Sequence, residues 1–177
     1  MSELLSWEDR LGLALVGRTR KTLVLDGFRP SAVLIPVYTN RVAHYVVLTK
    51  RVEWVFHHKG QVSFPGGAFD EADGLLCVTA LREASEEVGI RPEDVRVLGM
   101  LDDQATLTSN YIISPFVGAI PYPYKFTVNN NEVDTLIRAP VSLLLDPGSC
   151  FPTTLPHDTS RRRRENSSLA LIPLPGI

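Results

Sequence analysis

Three glutamates, Glu83, Glu86 and Glu87, crowd into "LREASEEVGI", residues 81–90. On a helix turning about 100° per residue they fall within an arc of about 100°. At i, i+3 and i, i+4 spacing their carboxylates stand side by side. Like charges so placed destabilise a bare helix by about 0.2–0.5 kcal/mol per pair. A divalent cation removes that penalty, and clustered carboxylate oxygens are what a hard ion such as Mg²⁺ or Mn²⁺ prefers. The plainer alternative is an acidic face turned to solvent. Two neighbours weigh against it. "PGG" at 65–67 reads as a turn that brings backbone carbonyls near the helix. Arg82 lies beside the cluster, ready to pair with an upstream carboxylate such as Asp73.

The elements that must hold these groups are legible around them. A helix is expected over 75–88, stopped by Gly89. Its buried stripe is Cys77, Leu81, Ala84 and Val88, with the glutamates centred well away from it. "PSAVLIPVY" (30–38) and "HYVVLTKR" (44–51) read as strands joined by a hairpin loop, "TNRVA". Further strands are expected over 95–103, 110–120 and 131–140, after which Pro140 opens a short helix. Residues 3–16 read as an amphipathic helix with Leu4, Leu5, Leu11 and Leu15 as candidate buried positions. Strands on both sides of one strong helix argue for an α/β or α+β layered domain.

A chain of 177 residues, 44% apolar and 21% charged, fits a globular domain with a real core. A formal charge of −2 disfavours a general nucleic-acid-binding surface. Cys77 and Cys150 have no metal spacing and suggest no disulfide framework. The charged N-terminus does not read as a signal peptide, and no apolar run approaches the roughly 20 residues of a membrane span. The expected setting is the cytoplasm. Residues 1–27 are read as an N-terminal helix and linker, 28–147 as the main domain and 148–177 as a poorly ordered tail. That tail carries Pro152, Pro156, Pro173 and Pro175 and the run Arg161 to Arg164.

"GGAFDEADGLLCVTALREASEEVGI" resembles the Nudix box, G-x5-E-x7-R-E-U-x-E-E-x-G-U, where U is aliphatic. Gly67, Arg82, Glu83, Glu86, Glu87, Gly89 and Ile90 match, with Ala84 a small stand-in for the first U. Asp73 stands in place of the first Glu, and one extra residue separates it from Arg82. That variant, together with "RPSAVLIPVY", "H-x-GQVSFPGG" and "TSNYIISPFVG", looks like the coenzyme A pyrophosphatase branch of the family. The resemblance implies an α/β/α sandwich with a mixed sheet. The closing C-terminal helix of that fold has no counterpart in the sequence after Pro147. A sheet face left bare would make the chain less stable or drive self-association, a homodimer being the simplest form.

The resemblance also implies a reaction, the Mg²⁺- or Mn²⁺-dependent hydrolysis of a nucleoside diphosphate linked to another group. Coenzyme A or its thioesters are the expected substrates, giving adenosine 3′,5′-bisphosphate and a 4′-phosphopantetheine compound. ADP-ribose or dinucleotides are the alternative substrates, and a non-catalytic nucleotide-binding module is the alternative of a different class. Carried over by position, Glu83 and Glu87 are metal ligands, joined by the carbonyl of Gly67. Glu86 is a third ligand or helps deprotonate the attacking water. Arg82 serves the catalytic helix by holding Asp73 or a glutamate. Glu132, in "NNNEVDTL", is the candidate fourth acid, with a solvated strand-start residue as its plainer reading. Lys50, Arg51, His58 and Lys59 supply positive charge for substrate phosphates.

Overall fold

The two most apolar β-rich runs lie at the middle of one mixed sheet. In the computed structural model, which describes residues 5–52, 61–106 and 109–146, α1 (Trp7–Val16) leads into β1 (Arg29–Thr39) and β2 (His44–Arg51). The short strands β3 (Val62–Ser63) and β4 (Gly66–Ala68) follow, then α2 (Leu76–Val88). β5 (Arg96–Met100), β6 (Gln104–Thr106), β7 (Tyr111–Ala119), β8 (Val133–Pro140) and α3 (Val141–Leu145) complete the order. β1 runs parallel to β7, from Arg29 opposite Tyr111 to Val37 opposite Ala119. It runs antiparallel to β2 on its other side. A parallel pair needs a long crossover, and the chain carrying α2 supplies it. β2 in turn pairs with β3 and with β8, while β5 and β6 pair with β7.

Pro36 is fully buried in the central strand, where a missing N–H is normally costly. It lies between the stretch of β1 that pairs with β4 (Ser31 to Val33) and the stretch that pairs with β2 (Val37 to Thr39). No antiparallel partner claims its backbone there.

Each sheet face has its own cover. On one, Ala80, Ala84 and Val88 of α2, with Ile90, pack on Ala32, Leu34, Tyr38, Val47, Phe116 and Ile120. On the other, Val37, Val46, Leu48, Leu98, Val117, Ala119 and Ala139 are covered by Trp7, Leu11 and Leu15 of α1 and by Val141 and Leu144 of α3. The result is the expected α/β/α sandwich. The face for which the sequence offers no closing C-terminal helix is covered by α1 and α3. The tail, 148–177, lies outside the described residues.

Two expectations need correction. Leu5 is 55% exposed because it precedes the N-cap, Ser6, whose hydroxyl accepts from Asp9 N–H. The "PGG" segment is not a turn: Gly66–Ala68 forms β4, antiparallel to β1. A side chain at Gly66 would overlap the β1 backbone and Val33, and one at Gly67 would overlap the Glu83 carboxylate. Glycine therefore serves close approach here. Glu87, although away from the core-facing stripe, is buried. Its exposure is 3%, because β4 and the loop before β8 cover that flank of α2.

Candidate functional site

The helix carrying the glutamates is fixed at its end by Gly89 in the left-handed region, φ 71°. Gly89 N–H donates to Ser85 O (3.0 Å) and Ile90 N–H to Ala84 O (3.2 Å), satisfying the last carbonyls. A Cβ at Gly89 would also lie 2.9 Å from Thr127 Cβ. Its absence lets the 124–132 loop close on the helix. Thr127 N–H donates to Val88 O (3.0 Å), Asn129 N–H to Glu87 O (2.9 Å) and Glu132 N–H to Asn129 O (3.0 Å). These bonds bring Glu132 to the flank of α2 that carries Glu87.

One end of the acidic cluster is fully engaged. Arg82 grips Asp73 with two hydrogen bonds, Nε to Oδ1 (2.9 Å) and Nη2 to Oδ2 (3.1 Å). Its Nη1 donates to Glu83 Oε1 (2.9 Å) and to Glu86 Oε2 (3.0 Å). Thr79 Oγ1 adds a bond to Asp73 Oδ2 (2.8 Å). The Arg82 guanidinium holds the Asp73 carboxyl at about 2, well below the usual range. Asp73 thus substitutes for the longer acid of the motif at the N-terminal side of α2.

The other end is left open. Glu87 Oε2 and Arg51 Nε are buried without a hydrogen-bond partner among the described residues. Arg51 Nη1 stands 4.0 Å from Glu87 Oε1, too far for a good hydrogen bond. Burial pushes the Glu87 carboxyl up to about 7; the Arg51 charge opposes the rise, and Glu83 and Glu132 add to it. Glu83, half-buried, is also raised, first by burial, against the pull of Arg82 and with the push of Glu86 and Glu132. Three carboxylates, Glu83, Glu87 and Glu132, therefore share one electrostatic environment.

No three acid, histidine or cysteine side chains among the described residues are gathered closely enough to enclose an ion as they stand. Arg82 holds Glu83 and Glu86 on its own side. The donor chemistry nonetheless fits a divalent cation: hard oxygen donors, an orphaned buried carboxylate oxygen at Glu87, and Glu83 seated against the bare α-carbon of Gly67. Glu86 lies outermost, its side chain 57% exposed.

Among the remaining candidates, Lys50 Nζ lies 3.6 Å from Asp134 Oδ2, so its charge is partly spent there. His58 and Lys59 lie outside the described residues. The sequence reading missed the Arg51–Glu87 proximity; the end of β2 carries no local signal for it. It also missed the buried Asp103, which accepts from Ser114 Oγ (2.7 Å), Leu23 N–H (3.0 Å) and Arg20, and which pins the N-terminal linker to the sheet.

Comparison with known proteins bears on the family and the fold. The NUDIX domain model matches residues 28–136. The uncharacterized Nudix hydrolase NudL of Citrobacter koseri is 41% identical over 124 residues, covering 70% of this chain and 64% of the relative. NudL of Salmonella dublin is 40% identical over 134 residues, covering 76% and 67%. The chain thus spans about two thirds of the length of these relatives. A Nudix hydrolase structure from Alicyclobacillus acidocaldarius shares the fold, with a TM-score of 0.59 at 19% identity over 69% of this chain and 83% of that one. So does the NUDIX domain of Shewanella oneidensis NrtR complexed with ADP ribose, at 0.54 and 18% over 68% and 78%. From the box helix to the sheet that carries it, this chain belongs to the Nudix family.

Proposed function

We propose that this protein is a divalent-metal-dependent pyrophosphohydrolase of a nucleoside diphosphate linked to another group, with coenzyme A or its thioesters as substrate. The observation that carries the reading is the buried, unpartnered oxygen of Glu87 beside Glu83 and Glu132. An orphaned buried carboxylate is costly and persists where a ligand is meant to satisfy it. Glu83, Glu87 and Glu132 would hold Mg²⁺ or Mn²⁺, with the Gly67 carbonyl and Glu86 as further donors. The ion supplies charge that neutralises pyrophosphate oxygens and acidifies water.

The chain's own residues do the rest. Arg82 fixes Glu83 and Glu86, so the acids do not swing away when the ion leaves. Arg51, half-buried, keeps a positive charge next to Glu87, with Nη1 4.0 Å from Glu87 Oε1. The exposed Glu86 meets water and can orient it or accept its proton. The coenzyme A assignment rests on the "H-x-GQVSFPGG" and longer-box resemblance, which adds basic residues just upstream of the glycine pair.

A mass-spectrometric screen of coenzyme A, acetyl-coenzyme A, ADP-ribose and NADH, each with Mg²⁺ and with Mn²⁺, tests the reading. Adenosine 3′,5′-bisphosphate from coenzyme A is the expected product. Higher kcat/KM on ADP-ribose would overturn the substrate, and tight binding without any product would overturn the hydrolase.

A further inference from the structure

A second feature opens on the sheet face that α2 covers, along the loop that bonds to the backbone of Glu87. A cleft of about 640 Å³ is lined by Pro123, Tyr124, Lys125, Phe126, Leu136 and Arg138, with Val128 at its side. That volume lies within the roughly 300–1,000 Å³ of small-molecule sites. Its walls are apolar and flat, and its charges are positive. Phe126 and Leu136 pack against the same core cluster as α2, so the cleft opens on the α2 side. The Arg138 guanidinium lies over the Phe126 ring, 5.4 Å from its centroid, and the Tyr124 and Phe126 rings meet at 5.2 Å.

The cleft is preformed. Tyr124 Oη accepts from Arg91 N–H (3.0 Å) and donates to Asp94 Oδ2 (2.8 Å), which anchors one end of its loop. The bonds from Thr127 to Val88 and from Asn129 to Glu87 anchor the other. The same loop therefore runs from the cleft to the backbone of Glu87. Several cations elsewhere are held in ion pairs. Arg18, Arg20, Arg82, Arg91 and Arg96 each hold a carboxylate. Among the described residues Lys125 and Arg138 are exposed and form no salt bridge.

Two free cations around an aromatic and aliphatic wall match a ligand that is both flat and anionic. A nucleotide is such a ligand: its base packs on rings and guanidinium planes, and its phosphate takes the charge. We infer that the Tyr124–Arg138 cleft is the nucleotide-end subsite, packing the base against Phe126 and Leu136 and holding a phosphate beyond the scissile bond with Lys125 and Arg138. The inference rests on the hydrolase reading for its place beside Glu87, but its binding chemistry stands separately. A substrate lying in it reaches the carboxylates along the 124–132 loop, and Arg138 and Lys125 then set preference for an extra phosphate.

The test uses the ¹⁵N-labelled full chain without metal, titrated with AMP, adenosine 3′,5′-bisphosphate, adenosine and inorganic pyrophosphate. AMP and the bisphosphate are expected to move amides of 124–128 and 136–138, the bisphosphate binding more tightly. Arg138→Ala should weaken the bisphosphate by about fivefold or more and bring it close to AMP, while Phe126→Leu, chosen to keep the packing, should weaken both nucleotides. Glu87→Gln should leave AMP binding unchanged. Equal binding of pyrophosphate and AMP, unchanged bisphosphate affinity in Arg138→Ala, or cleft signals that respond to protein concentration and not to AMP would overturn the subsite. Hydrolysis that ignores Arg138→Ala would overturn the subsite and leave the hydrolase standing. AMP binding at the cleft without hydrolysis of any pyrophosphate would do the reverse.

Discussion

Helix α2 carries two acidic regions that are opposites. Around Arg82 every charge has its partner: Asp73, Glu83 and Glu86 all accept from one guanidinium. One turn from Glu83, Glu87 is more deeply buried and its Oε2 has no partner. A paired region holds geometry; an unpaired buried one leaves its hydrogen-bonding capacity unused. The difference shows in the pKa directions. Asp73 is held at about 2, while Glu87 is raised to about 7.

The largest effect should follow from neutralising the open side. Glu87→Gln keeps the shape and removes a charged donor, so kcat/KM should fall by about a hundredfold or more. Steady-state kinetics checks this, with circular dichroism confirming the fold. Wild-type activity would remove Glu87 from the site. Gly67→Ala comes next. The added methyl overlaps the Glu83 carboxylate and pushes it from its seat, so activity should fall by about tenfold to a hundredfold. A crystal structure of the variant should show Glu83 displaced; an unmoved carboxylate would contradict the close approach.

The pH dependence of stability sharpens the contrast, because the two regions have opposite signs. The folded state holds a proton on Glu87 that the unfolded chain gives up above about 4.5. The metal-free protein should therefore be fully stabilised by this group below that pH and lose stability as pH rises through about 7. The loss is roughly 2–3 kcal/mol and should vanish in Glu87→Gln. Asp73 acts in reverse: its contribution is present above about 3.8 and is lost as pH falls toward about 2. Urea midpoints from pH 4.5 to 8, compared between wild type and Glu87→Gln, measure the first effect. Parallel curves would contradict the burial of Glu87.

The smallest effect should come from loosening the paired side. Arg82→Lys keeps the charge but loses the two-point grip on Asp73. The melting temperature should drop by roughly 2–4 °C, with activity reduced less than in Glu87→Gln. A larger activity loss than in Glu87→Gln would invert the assignment of the two regions.

Much of the frame was legible because it rests on periodicity and local stops. β1, β2, β7 and β8 are continuous β-rich runs, and Gly89 ends α2 where a left-handed residue is required. Arg82, expected to hold Asp73 or a glutamate, holds Asp73 together with Glu83 and Glu86. Other features depend on contacts that leave no local mark. Gly66–Gly67 reads as a turn in sequence and becomes a strand because β1 and Glu83 press on both sides of it. The burial of Glu87 escaped a helical projection, which finds the core-facing stripe but not a flank closed by a distant loop. That loop is placed by backbone bonds from Thr127 and Asn129, which any side chain could make. Arg51 reaches Glu87 only through the register of β2 against the rest of the sheet.

The most direct measurement is isothermal titration of Mn²⁺ into the metal-free wild type and into Glu87→Gln at one pH, with both shown folded by thermal melts. The wild type should bind Mn²⁺ and gain thermal stability from it, while Glu87→Gln should bind at least about tenfold more weakly. Equal Mn²⁺ affinity in the two proteins would contradict a metal centre built on the open side of the helix.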